Sequence, residues 1–156
     1  MNRTTLLALA SRVEAMRGPT CVVDVEIAIA VGYAGENSEG ARDIRADPDD
    51  DGWLLFEMAG EACECCNRAP PYTSSLDAAM SLVPSMDCAD WDEGIVPAYF
   101  SLSRSTTWES GPMQRGWAAI LHPVTHETIA EARASTPALA LTAACLRARA
   151  MLEQGV

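Results

Sequence analysis

The stretch "STPALALTAACLRARAMLEQG" constrains this chain more than any other. Thr136 offers a hydroxyl where a helix needs an N-terminal cap, and Pro137 brings a backbone angle already suited to a first helical turn. Leu141, Cys145, Ala148 and Leu152 then fall on one stripe. The many alanines allow this helix to lie close against a sheet or a second helix. Three strand patterns stand before it: "AYFSLSRSTTW" from Ala98, "RGWAAILHP" from Arg115 and "ETIAEARAS" from Glu127. Each is bounded by Gly, Pro or turn residues. "PVTH" makes a tight connection, so the last two strands are expected to pair as an antiparallel hairpin. The order of elements predicts one α+β domain in which helices cover an antiparallel sheet.

Upstream, Thr4 to Arg17 carries Leu6, Leu9, Ala10, Val13 and Met16 at helical spacing, and Gly18-Pro19 ends it. "CVVDVEIAIAVG" is ambiguous. Val23, Val25, Ile27, Ile29 and Val31 alternate with Asp24, Glu26, Ala28 and Ala30, which is a strand pattern. Pro19, Thr20 and the early acids suit a helix start instead. Residues 34–52 hold five Asp, two Glu, three Gly and one Pro, and read as an acidic loop. "WLLFEMAG" is a strand candidate, Cys63 to Ala69 a loop, and Leu76 to Val83 a short helix. "MDCADWDEG" reads as a second acidic loop.

Length and charge narrow the function classes. A chain of 156 residues with 49% apolar content builds one domain with a real core. The formal charge is −11, and all eleven basic residues are Arg. That balance excludes a general binder of nucleic-acid backbone, which needs a basic surface. It leaves room for a partner with a basic groove. The opening "MNRTTLLALASRVEAMRGP" reads as an amphipathic helix rather than a signal peptide. No run reaches the roughly 18 apolar residues that span a bilayer. A cytoplasmic location and no membrane partner are expected, with the six cysteines as free thiols.

Two segments, "APPYTSSLDAAMSLVP" and "STPALALTAACLRARA", together with "RGPTCVVDVEIAIAVG", resemble the phage ABA sandwich domain family of small phage and prophage accessory proteins. In that family a Gly-Pro and acidic-apolar segment comes first. A "YT-S-DAA-LVP" segment follows, and an "ATPALAL-AA-LRAR" helix comes last. The resemblance implies an antiparallel sheet sandwiched by helices in α/β/α layers. It also turns residues 20–32 toward helix. The acidic insert (Glu36 to Asp51) and the "CECC" cluster depart from the pattern.

Several residues are candidates for chemistry. In "PYTSS", Ser74 stands three residues before Asp77, a capping-box variant, with Tyr72 packed beside the helix. A ligand role for Tyr72, Thr73 and Ser74 is the alternative. At the mouth of the last helix, Ser135, Thr136 and the nearby Arg133 offer donors to an anion. Trp108 and Trp117 flank "ESGPMQRG", with Arg104 and Arg115 near them, a set that suits a purine and its phosphates. Cys63, Cys65, Cys66, His122 and His126 invite zinc, but Cys-x-Cys-Cys is not the usual knuckle spacing. No metal or cofactor is expected. The nucleophile-elbow, P-loop and zinc-protease patterns are all missing from the sequence.

The expected function is therefore binding rather than catalysis. In the setting the resemblance implies, this is an anti-defence sponge. It would be a homo-oligomer that captures a small nucleotide-derived host immune signal, with no direct nucleic-acid partner. Two alternatives stand beside it. One is an acidic, DNA-mimicking inhibitor of a host protein acting through residues 36–51 and 87–93. The other is a hydrolase that degrades the signal.

Overall fold

The computed structural model describes residues 2–33, 40–58, 64–88, 94–105 and 115–153. The alanine-rich segment forms α4 (Pro137–Leu152), opened as expected by the Thr136 hydroxyl, which accepts from the Leu139 amide at 3.2 Å. Ala138 through Leu146 are all buried. A helix apolar on every side must be covered on every side. Here α4 is covered by α1 (Arg3–Ala15), by α3 (Leu76–Met80) and by a three-stranded sheet.

That sheet is antiparallel, in the order β6 (Tyr99–Ser105), β7 (Arg115–Leu121) and β8 (Thr128–Ala134). The expected hairpin is β7–β8. Small residues face the helix: Gly116 and Ala118 on β7, Ala130, Ala132 and Ala134 on β8. They let the helix axis approach the strands closely. The other face carries the exposed Ser101, Ser103, Glu131 and Arg133. The fold is one α+β domain with four helices and three antiparallel sheets among the described residues.

Residues Cys21–Val31 are the helix α2, not a strand. It buries Val23, Asp24, Val25, Ile27 and Ala28, which cover more than one helical face. Its apolar residues therefore show no clean helical period, and the small Ala28 and Ala30 create the alternation. Gly32, at φ 73°, closes it in the left-handed conformation that glycine adopts without strain.

The 34–52 stretch is not loop throughout. β1 (Arg42–Ala46) lies inside it and pairs with β2 (Trp53–Glu57). The segment expected as a loop after Cys63 is β3 (Glu64–Arg68), paired to the other edge of β2. Both outer strands have no fully buried side chain. Their pairing comes from backbone hydrogen bonds to β2, whose Leu54 and Phe56 are the buried anchors. A half-polar sequence gives no signal for such a strand. The second acidic stretch likewise supplies β4 (Ser85–Asp87), paired to β5 (Ile95–Pro97). Residues 34–39 and 89–93 of the two acidic segments lie outside the described residues. No helix among the described residues is long and apolar enough to cross a membrane.

The free edge of β8 is closed by side chains. The Arg133 amide donates to Glu14 Oε1 at 3.3 Å, and Arg147 donates to the Glu131 carbonyl at 2.7 Å. Glu14 and Arg147 also pair with each other. One carboxylate and one guanidinium thus imitate the acceptor and donor of a neighbouring strand, which protects an edge otherwise open to foreign strands. Arg147→Ala leaves the partly buried Glu14 carboxylate without its ion partner and frees the Glu131 carbonyl at the edge. It is expected to lower stability by about 1–2 kcal/mol. Chemical denaturation combined with Glu14→Ala in a double-mutant cycle checks this; a coupling near zero would mean the pair does no work at the edge.

Candidate functional site

The "PYTSS" junction is built into the core. Tyr72 and Thr73 are each 1% exposed. The Tyr72 carbonyl accepts from the Thr142 hydroxyl at 2.8 Å. The Thr73 amide donates to Asp24 Oδ1 at 2.8 Å, and the Thr73 hydroxyl accepts from the Thr20 amide at 3.1 Å. Thr73 therefore ties α2 to the loop that precedes α3. Burial raises the Asp24 carboxyl above its ordinary range, against the lowering effect of its bonds to Thr73. Burial likewise raises Tyr72, with the Arg149 charge acting in the opposite direction. Arg149 is itself lowered by burial and donates to the Leu82 carbonyl at 2.7 Å.

The cap of α3 is one residue later than the sequence reading placed it. Ser75, not Ser74, accepts from the Ala78 amide at 3.3 Å. Ser74 turns back to the Pro71 carbonyl, because the turn at residues 72–74 consumes one more residue before the helix begins.

At the mouth of α4 the two hydroxyls also have structural partners. Thr136 caps the helix, and the Ser135 hydroxyl donates to the Met16 carbonyl at 2.9 Å. β7 lies directly over this mouth. A methyl group added at Gly116 would stand 2.5 Å from the Thr136 carbonyl oxygen and 2.6 Å from Pro137 N and Cα. What remains accessible is the flank. A cleft of about 350 Å³ opens between the end of α1 and the end of β8, lined by Glu14, Met16, Arg17, Arg133 and Ser135 among others. Arg17 and Arg133 are both exposed. Glu14 is engaged there by Arg147 and by the Arg133 amide.

Strand register adds an aromatic group. Trp117 stands directly opposite Arg133 on the neighbouring strand, and opposite Ser103 on the other side. Side chains of directly opposed residues lie within about 5.5 Å at Cβ. Trp117 is half-buried on the sheet face away from α4. The structure therefore sets Trp117 beside Arg133, two residues the sequence treated separately. Trp108 lies outside the described residues, and Arg104 and Arg115 are described only as strand positions. Tyr72 and Thr73 belong to a different part of the fold. Sequence reasoning missed Arg17 and Glu14. Their only trace was position, since both come at the end of a helix pattern closed by Gly18-Pro19.

The cysteines and histidines are spread apart. Cys65 and Cys66 are neighbours on β3, so they point to opposite faces, and Cys63 lies outside the described residues. His122 Nδ1 accepts from the Val124 and Thr125 amides at 3.2 Å and so closes the β7–β8 turn. His126 stacks on Tyr99 with ring centroids 5.6 Å apart. Among the described residues no three His, Cys, Asp or Glu side chains are grouped to hold a metal ion. The Cys145 thiol is pushed up to about 12 by burial and is protonated at neutral pH. It is expected to resist alkylation until the protein unfolds.

The chain matches no protein-family model, no curated protein and no solved structure.

Proposed function

We propose that this protein binds, without turnover, a small nucleotide-derived signal, and that it does so in the cleft between α1 and β8. In the setting given by the resemblance to phage accessory proteins, that makes it a sponge for a host immune signal, working as a homo-oligomer. One observation carries the reading. Arg17 and Arg133, far apart in sequence, line the same cleft, and Trp117 stands beside Arg133 on the sheet. Guanidinium groups bind phosphate through paired hydrogen bonds. An indole beside one of them, Arg133, suits a base. The volume is within the roughly 300–1,000 Å³ of pockets that bury small molecules. A chain of net charge −11 can hold an anion where its local field is positive.

The direct test is mass spectrometry of small molecules released by heating purified protein that has been incubated with lysate from signal-producing cells. Intact nucleotide in stoichiometric amount is the expected result. Processed nucleotide would establish a hydrolase instead, and an empty protein would end the reading. With the recovered nucleotide, Arg17→Ala and Arg133→Ala are each expected to weaken binding about 10–100-fold, the worth of one charged hydrogen-bonding group. Wild-type affinity in both folded variants would remove the cleft from the argument.

A further inference from the structure

A second groove has the opposite character. It lies between α2 and the turn joining β1 to β2, and encloses about 140 Å³. Its walls include Val22, Val25, Ile29 and Trp53, and its rim carries Asp47, Asp50 and Asp51. Val22 is 42% exposed, an apolar side chain left open to water at this edge.

The rim is held in place. The Asp49 amide donates to Asp47 Oδ1 at 2.9 Å, and the Asp47 and Trp53 amides bond across the turn to the Trp53 and Asp50 carbonyls. Gly52 at φ 98° sets the turn against Cys21 at the start of α2, where an added Cβ would be 3.2 Å from the Cys21 Cβ. Glu26, also on the wall, is paired with Arg12. Asp50 and Asp51 form no ion pair among the described residues, and both are exposed. No metal-holding group of three ligands forms among the described residues.

We infer that this groove is a docking site for an arginine side chain from a basic segment of a protein partner. An apolar trough with an indole wall takes the methylene stem and stacks the guanidinium plane. The aspartates at the rim take its hydrogen bonds, in the paired geometry that carboxylates offer to arginine. The groove is smaller than the roughly 300 Å³ at which pockets begin to bury whole small molecules, which fits a single side chain. Charge complementarity selects the partner: the groove and the whole chain are acidic. The site is independent of the nucleotide cleft, with which it shares no lining residue.

The test uses a capped tri-arginine peptide as probe, with tri-lysine beside it, read by calorimetry on the full chain at two salt concentrations. Tri-arginine is expected to bind more tightly than tri-lysine. Asp50→Asn combined with Asp51→Asn is expected to weaken it at least tenfold, and Trp53→Ala by a similar factor. Asp77→Asn with Glu127→Gln removes the same charge elsewhere and should change affinity less than twofold. Equal effects of the two charge-matched pairs would show diffuse attraction and overturn the site. So would equal binding of the two peptides, or no binding at all. Circular dichroism on each variant separates loss of the groove from loss of the fold. Should Trp53→Ala unfold the chain, the aspartate pair alone decides, because the side chains of Asp50 and Asp51 make no hydrogen bond among the described residues.

Discussion

Replacing Gly116 with alanine is expected to lower stability by about 3 kcal/mol or more, and the melting temperature by roughly 6–12 °C. The reason is geometric. The new Cβ would meet the Thr136 carbonyl oxygen at 2.5 Å and Pro137 N and Cα at 2.6 Å. All three are backbone atoms, so no flexible side chain can swing away. Pro137 is locked in φ, and Thr136 holds the cap of a helix buried on nearly every face. Relief would require β7 to move from α4, which opens the close contact between Gly116 and the start of that helix. Gly18→Ala is the control. It introduces the same methyl group at a glycine with nothing within 4 Å and should leave the melting temperature within a degree or two. If both variants melt together, the close seating of β7 on α4 is wrong.

Asp24 gives the second large effect, and its sign depends on the substitution. Asp24→Ala removes the acceptor of the buried Thr73 amide and is expected to cost about 2 kcal/mol. Asp24→Asn keeps an oxygen in place and removes a buried charge. It should match or exceed the wild type at neutral pH. The pH dependence follows from the raised carboxyl. Between the unfolded value of 3.8 and the higher folded one, the native state holds a proton that the unfolded state has lost. Stability from this group therefore falls as pH rises through that window and is regained on acidification. The difference between wild type and Asp24→Asn, followed by denaturant midpoints from pH 4 to 7, isolates the term from the other carboxylates. A difference that stays flat across the window would mean that Asp24 titrates in the folded protein as it does in the unfolded chain.

Much of the fold was legible because the signals were local. The cap at Thr136, the proline after it and the turn at "PVTH" each act within a few residues, and all three stand in the structure as read. Elements whose existence depends on a distant partner were not legible. β1 and β3 are strands because β2 offers its backbone to both, and neither has an apolar pattern of its own. The α2 helix shows the converse, where a strand-like alternation gave way to a helix buried on more than one face. The cap of α3 slipped by one residue because the turn before it is held by Thr20, Asp24 and Thr142, none of them adjacent.

The candidate site divides the same way. The sequence by itself determined that this chain is acidic and lysine-free, that it builds one α+β core, and that an alanine-rich helix begins at Pro137. Composition, caps and periodicity are properties of residues and their near neighbours, so they need no fold to be read. Only the tertiary structure decided that Arg17 and Arg133 share a cleft, and that Trp117 rather than a residue of "PYTSS" stands opposite Arg133 on the sheet. The β7–β8 register sets Trp117 opposite Arg133, and contacts of the end of α1 with the end of β8, between residues 119 positions apart, bring Arg17 to the same cleft.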